Sequence, residues 1–269
     1  MILTSPANPH LKKARGVREG KEPGLMFVEG ERLGEDCVQS GIPLFECFHT
    51  PDPGPRAAAV IEAARARGCP VFAVEPEVLD VVADTVNSQG LILLAERPRF
   101  VLGDVMIAAK KAGALLVCLD AVQDPGNFGA IVRTAEAAGA AGVLAIKGSV
   151  DAYAPKALRA SMGSAFRLPV VTDVWPEDLP PTARALEIDL IGTTAEAPEQ
   201  YDRHDWRQPG IIMFGNEANG VRPELLAQCA RTIGIPIHPP VNSLNVAISV
   251  AVILFEAERQ RRLSGTVAN

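Results

Sequence analysis

The sequence predicts an α/β chain in two parts, a small N-terminal α/β domain and a C-terminal, mainly parallel sheet with helices on both faces. Three observations predict it. Short apolar runs alternate with helix-patterned stretches through residues 1–95. The apolar run Ala114-Leu-Leu-Val-Cys-Leu-Asp120 then ends in an acid, as in a buried parallel strand whose carboxyl end faces a site. Finally, a proline-studded loop beginning at Ile235 runs straight into an apolar helix.

The elements follow in order. After a basic, helical start, Leu25 to Val28 reads as a strand and Glu29 to Gln39 as a helix with Leu33 and Val38 inward. Leu44 to Phe48 is a strand, Arg56 to Arg67 an alanine-rich helix, Val71 to Val74 a strand, Glu77 to Val82 a short helix, and Leu91 to Leu94 a final strand. Glu96-Arg-Pro-Arg99 is charged and proline-broken, so residues 96–113 read as a linker carrying a helix from Val101 to Lys111. Residues 114–269 form the second domain. There Asp124-Pro-Gly-Asn-Phe-Gly-Ala opens a helix striped by Ile131, Val132 and Ala135. Arg133 is read into its first turns, where a cation opposes the helix dipole, and is expected to have an anionic partner.

Gly142 to Ile146 is another strand, Pro155 begins a helix with Lys156 and Arg159, and Leu168 to Val171 is extended. A helix near Thr182 to Glu187 leads to the strand Ile188 to Thr193. Residues 196–209 are polar and irregular and are expected to form a surface loop. Ile211 to Phe214 is a strand passing into Gly215-Asn-Glu-Ala-Asn-Gly220, Pro223 starts a helix, and Thr232 to Ile235 is the last strand. Pro236, Pro239 and Pro240 lack an amide donor and have a fixed φ, so residues 235–242 are a shaped loop. Asn242 or Ser243 is placed to cap the helix that follows. Val246, Ile248, Val250, Ile253, Leu254 and Ala257 make that helix mostly buried.

At 269 residues and 48% hydrophobic content the chain can bury an ample core. No run reaches the roughly 18–20 apolar residues of a membrane span, and the basic N-terminus lacks a signal-peptide core, so a cytoplasmic protein is expected. The five cysteines are scattered and the four histidines show no ligand spacing, which argues against a disulfide framework and a bound metal. A net charge of -6 excludes whole-surface attraction to nucleic acid but not local patches. Lys12, Lys13 and Arg15 form one such patch, and Lys156 and Arg159 belong to another.

Three strand ends, at Asp120, Phe214 and Ile235, pass into loops rich in glycine, proline and asparagine. In a parallel sheet such loops converge on one crevice, so Asn127, Arg133, Glu217, Ser243 and Asn245 are candidates to meet there. Gly126 and Gly129 lack the dinucleotide-binding spacing and no phosphate-loop lysine follows. Nor does a Ser-His-Asp elbow surround Ser161 or Ser243.

These residues resemble the SpoU branch of the SPOUT S-adenosylmethionine-dependent RNA 2'-O-ribose methyltransferases. Three signatures stand in order: Asp124-Pro-Gly-Asn-Phe-Gly-Ala with Arg133-Thr-Ala and Gly139; Phe214-Gly-Asn-Glu-Ala-Asn-Gly220; and Ile235-Pro-Ile with Ser243-Leu-Asn-Val-Ala. Phe27-Val-Glu-Gly30 and the Ser88-Gln-Gly90 turn resemble the RNA-binding domain of ribosomal-RNA members. Ala247 stands where many relatives have serine, and Asn216 and Ala218 vary the middle signature.

The resemblance implies a deep trefoil knot, S-adenosylmethionine held near Thr193, Gly215, Ile235, Ile237 and Leu244, and catalytic positions at Asn127, Arg133, Glu217, Ser243 and Asn245. It also implies a homodimer and an RNA substrate, 23S ribosomal RNA before transfer RNA. Guanidinium stays protonated in proteins, so Arg133 is expected to anchor the target phosphate rather than to act as a base. A non-catalytic RNA-binding assembly factor and a small-molecule α/β enzyme are the competing readings. The first leaves the Asn127, Arg133, Glu217 and Asn245 set without a purpose, and the second does the same for the basic patches.

Overall fold

The computed structural model describes residues 2–86, 88–216 and 218–265. In chain order the elements are β1 (Ile2–Leu3), α1 (Pro9–Arg18), β2 (Leu25–Glu29), α2 (Glu31–Gln39), β3 (Leu44–His49), α3 (Pro55–Ala66), β4 (Val71–Val74), α4 (Pro76–Val82), β5 (Leu91–Glu96), α5 (Leu102–Ala112) and β6 (Leu115–Asp120). There follow α6 (Pro125–Ala137), β7 (Gly142–Ile146), α7 (Pro155–Ser161), β8 (Val170–Val174), α8 (Leu179–Ala185), β9 (Asp189–Thr193), β10 (Glu199–Gln200), β11 (Gly210–Gly215), α9 (Pro223–Leu226), β12 (Arg231–Gly234) and α10 (Val246–Leu263). Two compact units result: residues 1–98 with 153–167, and residues 99–152 with 168–269.

The first unit is built on a five-stranded mixed sheet of order β1-β4-β3-β5-β2, in which β5 runs antiparallel to β2 and β3. Leu11, Phe27, Phe48, Leu79, Ile92 and Leu94 fill its core. The two short signatures seen in the sequence meet here. Glu29 is buried and accepts from the amides of Asp84 and Thr85 at 2.8 and 3.2 Å. A side chain at Gly30, whose φ is +99°, would press on the Gln89 amide oxygen. Residues 153–167 lie within the span expected for the second domain but cluster with this unit: α7 packs on β2 and buries Ala157, Leu158 and Ser161.

The second unit holds a seven-stranded sheet of order β10-β12-β9-β11-β6-β7-β8 in which every pairing is parallel. All residues of β6 and β7 are buried, as expected when helices cover both faces. The chain goes from β6 outward through β7 to β8, then crosses to β9, β10, β11 and β12 on the other side of β6. The order therefore reverses beside β6, and a crevice at the carboxyl ends is expected at that switch point.

Three expectations are corrected in this unit. Residues 196–209 are not a loose surface loop: they include β10, and Trp206 is fully buried. Its indole donates to the Tyr201 carbonyl at 2.8 Å and its amide to Gln260 at 3.0 Å, while its carbonyl accepts from Arg261 at 2.8 Å. The cap of α10 is Asn245 rather than Asn242 or Ser243, because its side-chain oxygen accepts from the amides of Ala247 and Ile248 at 2.9 and 3.3 Å. Nor is α10 apolar and buried all round. Val246, Val250, Ile253, Leu254 and Ala257 face inward, whereas Ile248 and Phe255 are 53% and 50% exposed.

Candidate active site

Two helix starts define the site. Asp124 caps α6, its carboxylate accepting from the Asn127 amide at 2.8 Å, with Pro125 at the first helical position, where its missing donor costs nothing. Asn245 caps α10. The Asn245 side-chain amide then donates to the Asn127 side-chain oxygen at 3.0 Å, across 118 positions of sequence. The N-termini of α6 and α10 thus converge, and both present the positive ends of their dipoles to one place.

Beside them lies a cleft of ≈ 700 Å³, within the range of small-molecule sites. It is lined from the carboxyl end of β9 at Thr193, the loop after β11, and the chain that leaves β12. That middle loop is held by its own sequence. A side chain at Gly215 would collide with the backbone of Gly220 and Val221, so glycine alone fits. Asn216 receives the Ala218 amide at 2.9 Å and donates to the Ala121 carbonyl at 3.0 Å, and its own carbonyl takes the Gly220 amide at 2.8 Å. Ala121 itself sits at φ +56°, a left-handed conformation that costs an alanine on the order of 1 kcal/mol.

The loop is fastened at its far end by Asp120, the buried acid that ends β6. Its carboxylate accepts the Arg222 backbone amide and the Arg222 Nε, each at 2.8 Å. Asp120 therefore serves the loop rather than facing a ligand. Glu196 is the only titratable side chain among the described residues of the lining. A second depression of ≈ 480 Å³ lies between residues 202–207 and the end of α10, where Arg207 is paired with Asp205 and Arg259 with Glu256. Among the described residues no three His, Cys, Asp or Glu side chains cluster to hold a metal, and no helix is long and apolar enough to cross a membrane. Cys229 lies near Met213 rather than in the lining, and burial pushes its thiol up to about 11.

All five residues expected to hold the cofactor, Thr193, Gly215, Ile235, Ile237 and Leu244, line the cleft. The Thr193 hydroxyl is already used, donating to the Met213 carbonyl at 2.8 Å. Ile235, Ile237 and Leu244 give the lining an apolar character. Their backbone amides donate to no acceptor among the described residues, which suits a flat heteroaromatic ring with polar edges.

Of the expected catalytic residues, Asn127 and Asn245 are in contact, Ser243 is exposed on the rim of the cleft, and Glu217 lies outside the described residues. Arg133 lies two turns into α6, not in its first turns, and is exposed. No described residue forms an ion pair with it, and Glu217, the carboxylate expected beside it, lies outside the described residues. At about 100° per residue Arg133 points roughly 120° away from Asn127.

The expected RNA contacts are mixed. Lys12 and Lys156 are exposed, while the Lys13 ammonium stands 3.6 Å over the Phe45 ring and Arg15 donates to the Pro6 carbonyl at 2.8 Å. Arg159 is paired with Asp84 at 2.7 Å, so its charge is largely spoken for. Sequence reasoning missed Arg222, Asn216 and Glu196. Only Asn216 had a visible signal, as an asparagine between glycines in a loop.

Residues 114–255 match the SpoU rRNA Methylase family, and residues 27–101 match the RNA 2'-O ribose methyltransferase substrate binding family. The chain belongs to the SpoU methylase family. It is 31% identical to an uncharacterized tRNA/rRNA methyltransferase of Synechocystis sp., over 98% of this chain and 96% of the relative. It is 34% identical to the 23S rRNA (guanosine-2'-O-)-methyltransferase RlmB of Ralstonia nicotianae, over 75% of this chain and 81% of that protein. The AdoMet-bound rRNA methyltransferase of Sinorhizobium meliloti superposes with a TM-score of 0.86 at 30% identity, over 96% of this chain and 97% of the other. This SpoU protein is an S-adenosylmethionine-dependent RNA 2'-O-ribose methyltransferase.

Proposed function

We propose that this enzyme methylates a ribose of 23S ribosomal RNA, in the cytoplasm and as a homodimer, with S-adenosylmethionine bound through Thr193, Gly215, Ile235, Ile237 and Leu244. The observation that carries this reading is the Asn127–Asn245 hydrogen bond, which joins two family signatures beside the cleft. The names of the relatives favour ribosomal over transfer RNA, and the substrate-binding match over residues 27–101 fits either. In this reading the chain from Ile235 to Leu244 closes the deep trefoil knot, and α10 returns to pack on α6. The half-exposed stripe of Ile248, Val252 and Phe255 on α10 supports the dimer, since it repeats on one helix face and is apolar.

Bound in the cleft, S-adenosylmethionine supplies an electrophilic methyl group on a sulfonium. A ribose 2'-hydroxyl placed there would give up its proton to solvent water as its oxygen takes the methyl, and the sulfonium would leave as a neutral thioether. Asn127 and Asn245 orient the ribose, Ser243 accepts or donates at the rim, and the two converging helix N-termini favour negative charge on the oxygen. Arg133 cannot serve as a base because its guanidinium stays protonated. Free of any partner among the described residues, it binds the phosphate of the target nucleotide and lowers the cost of forming the alkoxide.

Tritiated methyl transfer to isolated 23S rRNA and to tRNA tests the substrate, and label on tRNA alone would overturn it. Arg133→Ala is expected to lower kcat by about 100-fold or more. A wild-type rate in Arg133→Ala would refute the phosphate role.

A further inference from the structure

The carboxyl edge of the parallel sheet continues past the cleft. Beyond β6 come β7 and β8, and just past their ends stand Lys147 and Trp175. Trp175 is 49% exposed, although an indole is among the most rewarding side chains to bury. The Lys147 ammonium sits 3.4 Å from the centre of its ring, and the Lys147 backbone amide donates to the Val174 carbonyl at 2.8 Å. The pair is therefore held from both backbone and side chain.

It is also joined to the site. The Val150 amide donates to the Val122 carbonyl at 2.9 Å, Ser149 donates to the Leu119 carbonyl at 3.2 Å, and Gln123 donates to the Gly148 carbonyl. The segment after β7 and the segment that leads to Asp124 and Asn127 thus form one surface. Two strand spacings, about 10 Å, separate the end of β6 from the end of β8.

We propose that Trp175, held flat by Lys147, is a stacking platform for an unpaired nucleobase of the RNA that flanks the methylated nucleotide; the proposal rests on the reading of Asn127 and Asn245 as the place of methyl transfer. Every base has a π-face, and an exposed aromatic ring beside a cation is how proteins grip single-stranded RNA without reading its sequence. The ammonium orients the indole before RNA arrives, which lowers the entropy lost on stacking. The exposed carboxylates Glu177 and Asp178 follow Trp175 and oppose a phosphate. The ring, not net charge, is the recognition element, and a base is the partner that fits it.

The chain has two tryptophans, and the other, Trp206, is fully buried, so quenching by RNA reports on Trp175. The full-length protein is titrated with a mixed-sequence single-stranded oligoribonucleotide and with the same sequence as a duplex. The single strand is expected to quench emission, the duplex is not, and Trp175→Phe is expected to remove the response. Trp175→Ala is expected to raise KM for RNA by about five- to a hundredfold while kcat, S-adenosylmethionine affinity and melting temperature stay near wild type. Wild-type methylation with unquenched emission, or an unchanged KM in Trp175→Ala, would overturn this inference and leave the methyltransferase reading intact. Loss of S-adenosylmethionine binding and methylation in the wild-type protein would overturn both.

Discussion

Replacing Arg222 with methionine keeps much of the side chain's bulk but strips the charge that holds Asp120. Removing one partner from a buried ion pair costs about 3–5 kcal/mol, because the other charge is left without compensation. Here the penalty is smaller. The Arg222 side chain is 31% exposed, against 2% for Asp120, and its backbone amide remains to donate to the carboxylate. With solvent screening on that side, about 2 kcal/mol is expected. For a unit of this size that lowers the melting temperature by about 4–8 °C. Both tryptophans belong to the second unit, so their emission follows its unfolding. The same change frees the end of the loop that lines the cleft. If the ordered loop falls to a tenth of the population, S-adenosylmethionine binds about tenfold more weakly in calorimetry. The double variant Asp120→Leu with Arg222→Met removes both charges and is expected to melt above the single variant. An Arg222→Met protein that melts within about 1 °C of wild type and binds the cofactor as tightly would refute the idea that the pair builds the cleft.

Residues 1–98 expressed alone lack α7 and the turn after it, and so leave Tyr153, Leu158 and Phe166 out of the first unit. Each such side chain contributes about 1.5–3 kcal/mol of burial, so a version with residues 153–167 attached through a flexible linker is expected to melt well above the truncated one by circular dichroism, and equal melting would refute the assignment. Burial pushes the Cys37 and Cys47 thiols from 9.0 up to about 12. In the unfolded chain they lose their protons near pH 9 while the folded chain keeps them, so this stabilisation is whole below pH 9 and is lost towards pH 12. The fall is about 1.4 kcal/mol per pH unit for each thiol, and alkaline unfolding curves of Cys37→Ala with Cys47→Ala should be shallower than wild type. Glu196→Gln is expected to weaken binding of cationic S-adenosylmethionine about fivefold and to spare its uncharged-sulfur product, and equal weakening of both in calorimetry would refute a charge effect.

The parts of this molecule that could be read from its sequence are those in which cause and effect lie close together along the chain. The run from Leu115 to Asp120 is apolar because β6 is covered on both faces, and Asp124-Pro-Gly-Asn is a cap with proline at the first helical position, so periodicity and turn chemistry located both. The cofactor positions came from the family signatures, and these follow backbone shape: Gly215 is required because Gly220 and Val221 pass where its side chain would be. What stayed hidden depends on partners far away in sequence. Nothing near Trp206 shows that Gln260 and Arg261 will enclose it, so a polar segment looked like a loop. Nothing near Arg222 reveals that Asp120, 102 positions earlier, needs its charge. Asn245 outcompeted Asn242 and Ser243 as a cap because its other half is anchored by Asn127, a contact that exists only once α6 and α10 meet. That last case links fold to function. The residue that begins α10 also fixes Asn127, so the start of the last helix and the geometry of the site cannot be changed independently.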